Sequence, residues 1–284
     1  MAELTFHGLD IGLVEPGDDL IERILETTAT EFPLEDGDVV VCTSKVVSIA
    51  NERLVEADSV TVDDRARRVA AATGLDPREV ALIYEESAVL GAVPVSEIAE
   101  EHLMDHTADD GSGHAALKKM PAALLTERNG RLCSNAGIDW SNTPPGTMAR
   151  LPKDPDASAR RIREAIAERT DTEVAVILAD SEIVGPGSMD LAIGVSGIEA
   201  IDRNYGHADL HGQPKPGGMD RVASELTAGS ALLFGQSDER TPVVVVRGLD
   251  YESGEGRASS AGLLRAGVKK SLELTARIKA REWF

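Results

Sequence analysis

Three uninterrupted runs of branched aliphatic residues constrain this chain most. GDVVVCTS (37–44), EVAVILADS (173–181) and TPVVVVRGL (241–249) each hold at least four apolar residues in a row. A strand with one wet face alternates apolar and polar residues. A continuous short run, rich in Val and Ile, is a buried strand. The first run opens on Asp36-Gly37, a turn dipeptide. A fourth stretch, MPAALLTERNGRLCS (120–134), carries Asn129-Gly130 at its middle and predicts a hairpin.

Helices are predicted between these strands. One covers 18–30, opening on Asp18-Asp19, and another 62–73, opening near Asp63. A third spans 155–170, with Arg and Glu on one face and Ala and Ile on the other. Further helices fit 219–233 and 260–281. The strands and helices mix without a regular βαβ period, so the expected class is α+β, with largely antiparallel sheets and packed helices. The expected organisation is one domain over 1–250, an inserted loop near 97–118, and a helical extension over 251–284. That insert contains HTADDGSGH. Its His102, His106 and His114 raise the thought of a metal, but a solvated acidic loop is the plainer reading.

Aromatic residues make up only 3% of the 284, against 42% hydrophobic overall, so Val, Leu, Ile and Ala must fill the core. The formal net charge is −20, and the chain has 8 Lys against 21 Arg. No basic patch appears, which argues against nucleic-acid partners. An acidic, lysine-poor surface suits high salt and points to a halophilic archaeon. No run reaches transmembrane length and no secretory leader is seen, so a cytoplasmic protein without a membrane partner is expected. Cys42 and Cys133 lie in apolar runs and read as small buried hydrophobes.

The chemistry-bearing stretches are loops at strand ends. Asp180 closes VAVILAD, followed by Ser181, and Asp139 lies in CSNAGIDWSN three residues before Asn142. Carboxylates and hydroxyls at strand ends present oxygen to hard cations such as Mg²⁺ and Mn²⁺. Each such Asp is equally a turn or cap residue when taken alone. Glycines at 185, 187, 194 and 197 allow a ligand close to the backbone, or simply mark bulges. No P-loop and no GxGxxG is present.

Taken in order, GLDIGLVEPGDDL, GDVVVCTSKVVSIANER, NAGIDWSN, ILADS with AIGVSGIEAI, and GQSDERTPVVVVRGL resemble the coenzyme F420-0:L-glutamate ligase family, from about residue 6 to 250. NAGIDWSN is the most specific piece. The resemblance implies a cytoplasmic homodimeric ligase. It would use GTP and Mg²⁺ or Mn²⁺, with K⁺ as a further cation, to join L-glutamate to the carboxylate of an F420-0-like acceptor through an acyl phosphate. It implies nucleotide contacts at Ile11, Gly12, Leu13, Val14, Thr43, Ser44, Asn142, Gly235, Gln236, Ser237 and Asp238. It implies metal contacts at Asp139, Asp180, Ser181 and Gln236. The family's nucleotide-contacting lysine falls on Ile49, and Lys45 is the available substitute. The family's DT-x-GRP-x-R-x-G becomes DSEIVGPGSMD, without its arginines, and a family glutamate falls on Gln236. Three readings stand open: the F420-0 ligase itself, a paralogue with another acceptor, and a non-catalytic nucleotide- or metabolite-binding protein.

Overall fold

The computed structural model describes residues 3–102, 104, 107, 109–184, 187–202, 204–215, 217, 219–256, 270–271, 273–277 and 279. The described chain divides into two compact units, Met1–Val60 with Gly137–Ala258, and Thr61–Ala136 with Ser259–Phe284.

In the first unit the three aliphatic runs become the three central strands of one sheet. They are β2 (Val39–Thr43), β8 (Ala175–Val184) and β10 (Val243–Arg247), the outer strands being β1 (Thr5–Leu9) and β9 (Gly187–Ser196). The order is β1-β10-β2-β8-β9. Only β2 and β8 run parallel; the other neighbours are antiparallel. The class is therefore α+β with antiparallel pairing dominant, as expected from sequence.

The central strands bury both faces. Val40, Cys42, Val176, Leu178, Val243 and Val245 face one apolar cluster with the helices α1 (Leu20–Glu31), α2 (Ser44–Ala50) and α7 (Pro155–Thr170). Val39, Val41, Ala175, Ile177, Val244 and Val246 face the other, with α8 (Val222–Phe234). Each fully buried Val or Ile contributes about 1.5–3 kcal/mol relative to exposure, which is why Val39–Cys42, Ala175–Ala179 and Val243–Val246 carry no polar residue. Gly194 of β9 is demanded by packing, because a Cβ there would strike the backbone of Pro155 at the start of α7. A separate pair, β3 (Leu54–Glu56) with β7 (Thr147–Ala149), completes the sheets of this unit.

The predicted helices form with small boundary shifts. Asp19, Asp63 and Asp154 cap α1, α3 (Asp64–Thr73) and α7, each side chain accepting a backbone N–H of the first turn. Residues 270–271, 273–277 and 279 are helical, while the rest of the predicted 260–281 helix lies outside the described residues. The second unit also holds α4 (Pro77–Glu86), α5 (Val95–His102), α6 (Asp110–Lys119) and the sheet β4 (Ala88–Val93), β5 (Ala123–Arg128), β6 (Arg131–Ser134), in that spatial order. The β5–β6 hairpin turns at Asn129 (φ 49°) and Gly130 (φ 77°), the double positive φ that Asn-Gly supplies. The polar insert 97–118 is mostly helical: α5 and α6 occupy its two ends. His106 lies outside the described residues. Among those described, no group of three or more His, Cys, Asp or Glu is placed to hold a metal. Cys42 and Cys133 are buried and form no disulfide with each other, and burial pushes the Cys42 thiol up to about 12.

Candidate functional site

Strand register brings the stretches singled out from sequence to one end of the five-stranded sheet. β1 ends at Leu9 opposite Val243, so the loop 10–14 leaves beside the loop that enters β10. Thr43 ends β2, donates its N–H to the Pro242 carbonyl at 2.9 Å and pairs with Ala179, one residue before Asp180. Ser181 pairs across the hairpin with Asp190.

The loop 11–14 divides its labour. Ile11 and Val14 are buried core anchors, Gly12 adopts φ 71°, and Leu13 is 81% exposed. Arg23 donates to the Ile11 carbonyl at 3.3 Å and holds the loop to α1. After β2 the chain turns at once into α2. The buried Ser44 hydroxyl donates to Asp180 Oδ1 at 2.6 Å, linking the start of α2 to β8 across 136 residues of sequence. Lys45 Nζ donates to Asp139 Oδ2 at 2.5 Å and to the Ser141 carbonyl at 2.9 Å. Ile49, where the resemblance would put a lysine, is one helical turn further on and only 7% exposed in the core. Lys45 is therefore the ammonium that α2 presents here.

NAGIDWSN is built to hold Asp139 and Asn142 still. Asn135, Ala136 and Gly137 all take positive φ, at 48°, 55° and 69°. A Cβ on Gly137 would collide with Leu151. Asp139 then exchanges backbone hydrogen bonds with Ala149, at 3.1 and 2.8 Å. Its carboxylate accepts Ser141 N at 2.7 Å and Ser141 Oγ at 2.8 Å in addition to Lys45. Burial pushes this carboxyl up, but the Lys45 ammonium and the Ser141 donors outweigh it, and the group sits below its ordinary range. Asn142 takes φ 50°, a conformation Asn tolerates, and its amide donates to the Ser237 carbonyl at 3.0 Å. This contact brings the motif against the loop Gly235–Asp238, where Gly235 has φ 66° and Gln236, Ser237 and Asp238 are exposed.

Gln236 points its amide at a residue the sequence reading overlooked. Its Nε2 donates to Asp190 Oδ1 at 3.1 Å, and Asp190 is only 5% exposed. Burial raises this carboxyl above its ordinary value, against a smaller lowering from Gln236. Strand alternation sets Asp190 and Ser181 on one face of the β8–β9 hairpin and Asp180 on the other. The signal for Asp190 was present in sequence, as a lone carboxylate inside SMDLAIGVS, but that stretch read as glycine-rich loop rather than as strand.

The donors at this sheet end are oxygens: the carboxylates of Asp139, Asp180 and Asp190, serine hydroxyls and backbone carbonyls, the kind Mg²⁺ and Mn²⁺ favour. Asp139 already holds a cation, the Lys45 ammonium, so the chemistry of this position fits a positive ion.

Such a site, set on a mixed sheet and rich in oxygen donors but without a nucleophile, belongs here to a ligase. Relatives named coenzyme F420:L-glutamate ligase occur in Methanopyrus kandleri (33% identical, covering 89% of this chain and 90% of the relative), in Archaeoglobus fulgidus (33%, covering 92% and 95%) and in Methanothermobacter thermautotrophicus (31%, covering 84% and 86%). The family profile described as F420-0:Gamma-glutamyl ligase matches residues 8–248, and this chain belongs to that family. No described helix is long and apolar enough to cross a membrane.

Proposed function

We propose that this ligase joins L-glutamate to the carboxylate of an F420-0-like acceptor at the expense of GTP. The observation that carries the reading is the meeting of Thr43–Lys45, Asp139–Asn142, Asp180–Ser181 and Gly235–Asp238 at one sheet end. An acceptor carboxylate oxygen attacks the terminal phosphorus and GDP leaves. The glutamate amine then attacks the acyl carbon and inorganic phosphate leaves, forming the amide. Catalysis of this kind is positioning and electrostatics, which accounts for carboxylates, hydroxyls and a lysine in place of a nucleophile.

Asp139 and Asp180 are the residues that would hold Mg²⁺ or Mn²⁺; the Ser181 side chain, which the resemblance adds to this set, lies with Asp190 on the other face of the β8–β9 hairpin. When bound, the ion supplies charge neutralisation at the phosphate oxygens. The backbone of Ile11–Val14, the hydroxyls of Thr43 and Ser44, the Asn142 amide and the loop Gly235–Asp238 orient the nucleotide. Lys45 is the cation best placed to meet its phosphates. The reading includes a homodimer, tested by light scattering in molar KCl, where a monomeric mass would contradict it.

The test is incubation with F420-0, L-glutamate, GTP and Mn²⁺ in molar KCl, followed by mass spectrometry. Glutamylated F420-0 is expected; unchanged F420-0 removes the specific acceptor. DSEIVGPGSMD lacks the arginines of the family pattern, which favours a different carboxylate acceptor as the second reading. GTP-dependent phosphate release across a panel of carboxylates separates the two.

A further inference from the structure

Among the described residues, no cation is paired with the buried carboxylate of Asp190. Among the described residues its one hydrogen-bond partner is the Gln236 amide, at Oδ1, and Oδ2 has none. The other carboxylates at this end are answered: Asp139 by Lys45 and Ser141, and Asp180 by Ser44 at Oδ1. A carboxylate that is 5% exposed and lacks a counter-charge loses solvation and gains little in return. Such a group is matched by a ligand that brings the positive charge with it.

The position of Asp190 narrows that ligand. It pairs in register with Ser181 and so adjoins the proposed reaction site. Alternation directs it to the face covered by α8, whereas Asp180 faces the side of α2, where Ser44 and Lys45 lie. The loop after α8 contributes Gln236. Its Nε2 is spent on Asp190, so its Oε1 is left as an acceptor. With a neutral glutamine as its partner, Asp190 gives the pair a single negative charge, which matches a monocation better than a divalent ion.

Resting on the ligase reading above, we propose that Asp190, with the Gln236 side-chain carbonyl, binds the ammonium group of the incoming amino acid. The two acceptors meet two of the three N–H donors of an ammonium, and the third points onward. Gln236 moves in this assignment from the metal set to the amino-acid set. Asp190 positions the amine on one side of the hairpin while the phosphates and their cation occupy the other.

The probes are L-glutamate and glutarate, the same diacid without the amine. With GTP, Mn²⁺ and acceptor saturating, Asp190→Asn is expected to raise the KM for glutamate by about tenfold to a hundredfold, the loss associated with a charged hydrogen bond. Glutarate inhibition should stay the same in wild type and variant, and so should calorimetric Mn²⁺ affinity. Asp190→Glu, which keeps the charge, should recover part of the loss. An unchanged glutamate KM overturns the assignment, as does a glutarate constant that worsens in step with it. Loss of Mn²⁺ binding overturns it in favour of a metal ligand. If Asp190→Asn does not fold, Gln236→Ala carries the same comparison and must weaken glutamate but not glutarate. Wild type that transfers no glutamate overturns the ligase reading itself, whereas normal transfer with indifferent variants overturns only the role of Asp190.

Discussion

Two carboxylates near one sheet end would repel each other in the absence of metal, but Asp139 is neutralised by Lys45 at 2.5 Å. Removing its charge therefore takes a partner from the lysine rather than relieving strain. Asp139→Asn should lower stability at neutral pH by about 0–1 kcal/mol, the range for a partly exposed pair. The pH dependence has a definite sign. The folded carboxyl lies below its ordinary value, so its contribution is complete above about pH 3.9 and fades as pH falls through the depressed folded value. Urea unfolding of wild type and Asp139→Asn at pH 7 and near pH 3 should show the difference shrinking on acidification; a growing difference contradicts the pairing. On the proposed metal role, calorimetry should show Mn²⁺ binding weakened in Asp139→Asn. Asn142→Ala should spare Mn²⁺ and weaken GTP. Equal Mn²⁺ affinities would make Asp139 a turn residue only, since Asn serves about as well in turns.

At the scale of elements, what was legible followed from signals confined to a few neighbours. The aliphatic runs became β2, β8 and β10 because a continuous apolar stretch has one place to go, the middle of a covered sheet. α7 was legible to its ends: Asp154 accepts Ala157 N at 2.9 Å and Pro155 takes the first turn. Asp154→Ala should cost about 0.5–2 kcal/mol, read as a shift in denaturant midpoint with unchanged slope. What escaped depended on distant partners. α2 is only seven residues long and begins directly after β2, where no helix is predicted from sequence. β1 takes its pairing from β10, a strand far away in the chain, whereas β9 folds back on its neighbour β8. The clasp at the other end of β10 is equally invisible locally. Arg247 donates to buried Asp38 at 2.8 and 2.7 Å, to Glu35 at 2.7 Å and to the Pro33 carbonyl at 2.7 Å, and lies over the Phe32 ring. Arg247→Ala leaves Asp38, 1% exposed, without its counter-charge and with just the Glu35 N–H on its carboxylate, at a cost of about 3–5 kcal/mol. Arg247→Lys should recover only part of it, because the two-pronged geometry is lost; full recovery in chemical denaturation would show that charge alone matters. The candidate site stands between these cases. Its loops were legible as motifs, whereas the Lys45–Asp139 bond and the Asp190–Gln236 pair join residues 94 and 46 positions apart, beyond any local pattern.

For the whole molecule the governing quantity is charge. With 49 acidic against 29 basic residues, the folded state confines a net charge of −20 that the expanded chain spreads out. Some of the acidic surface is answered internally, as Arg23–Asp18 and Arg169–Asp19 do around α1. The excess is left to solvent and ions. Raising salt from about 0.1 M to about 1 M shortens the screening length from roughly 10 Å to roughly 3 Å, less than the spacing of most surface charges. Repulsion among exposed carboxylates then falls steeply, while the aliphatic core is untouched by screening. Thermal unfolding should accordingly move upward with KCl, each 1 kcal/mol appearing as roughly 2–4 °C in a chain of this size. Sodium chloride at equal ionic strength separates two causes. Coincident NaCl and KCl curves mean general screening, and a higher curve in KCl means that potassium binds the folded protein specifically. A midpoint indifferent to both salts would show that the surface charges are already compensated by local pairing, and would remove the argument that this composition is adapted to high salt.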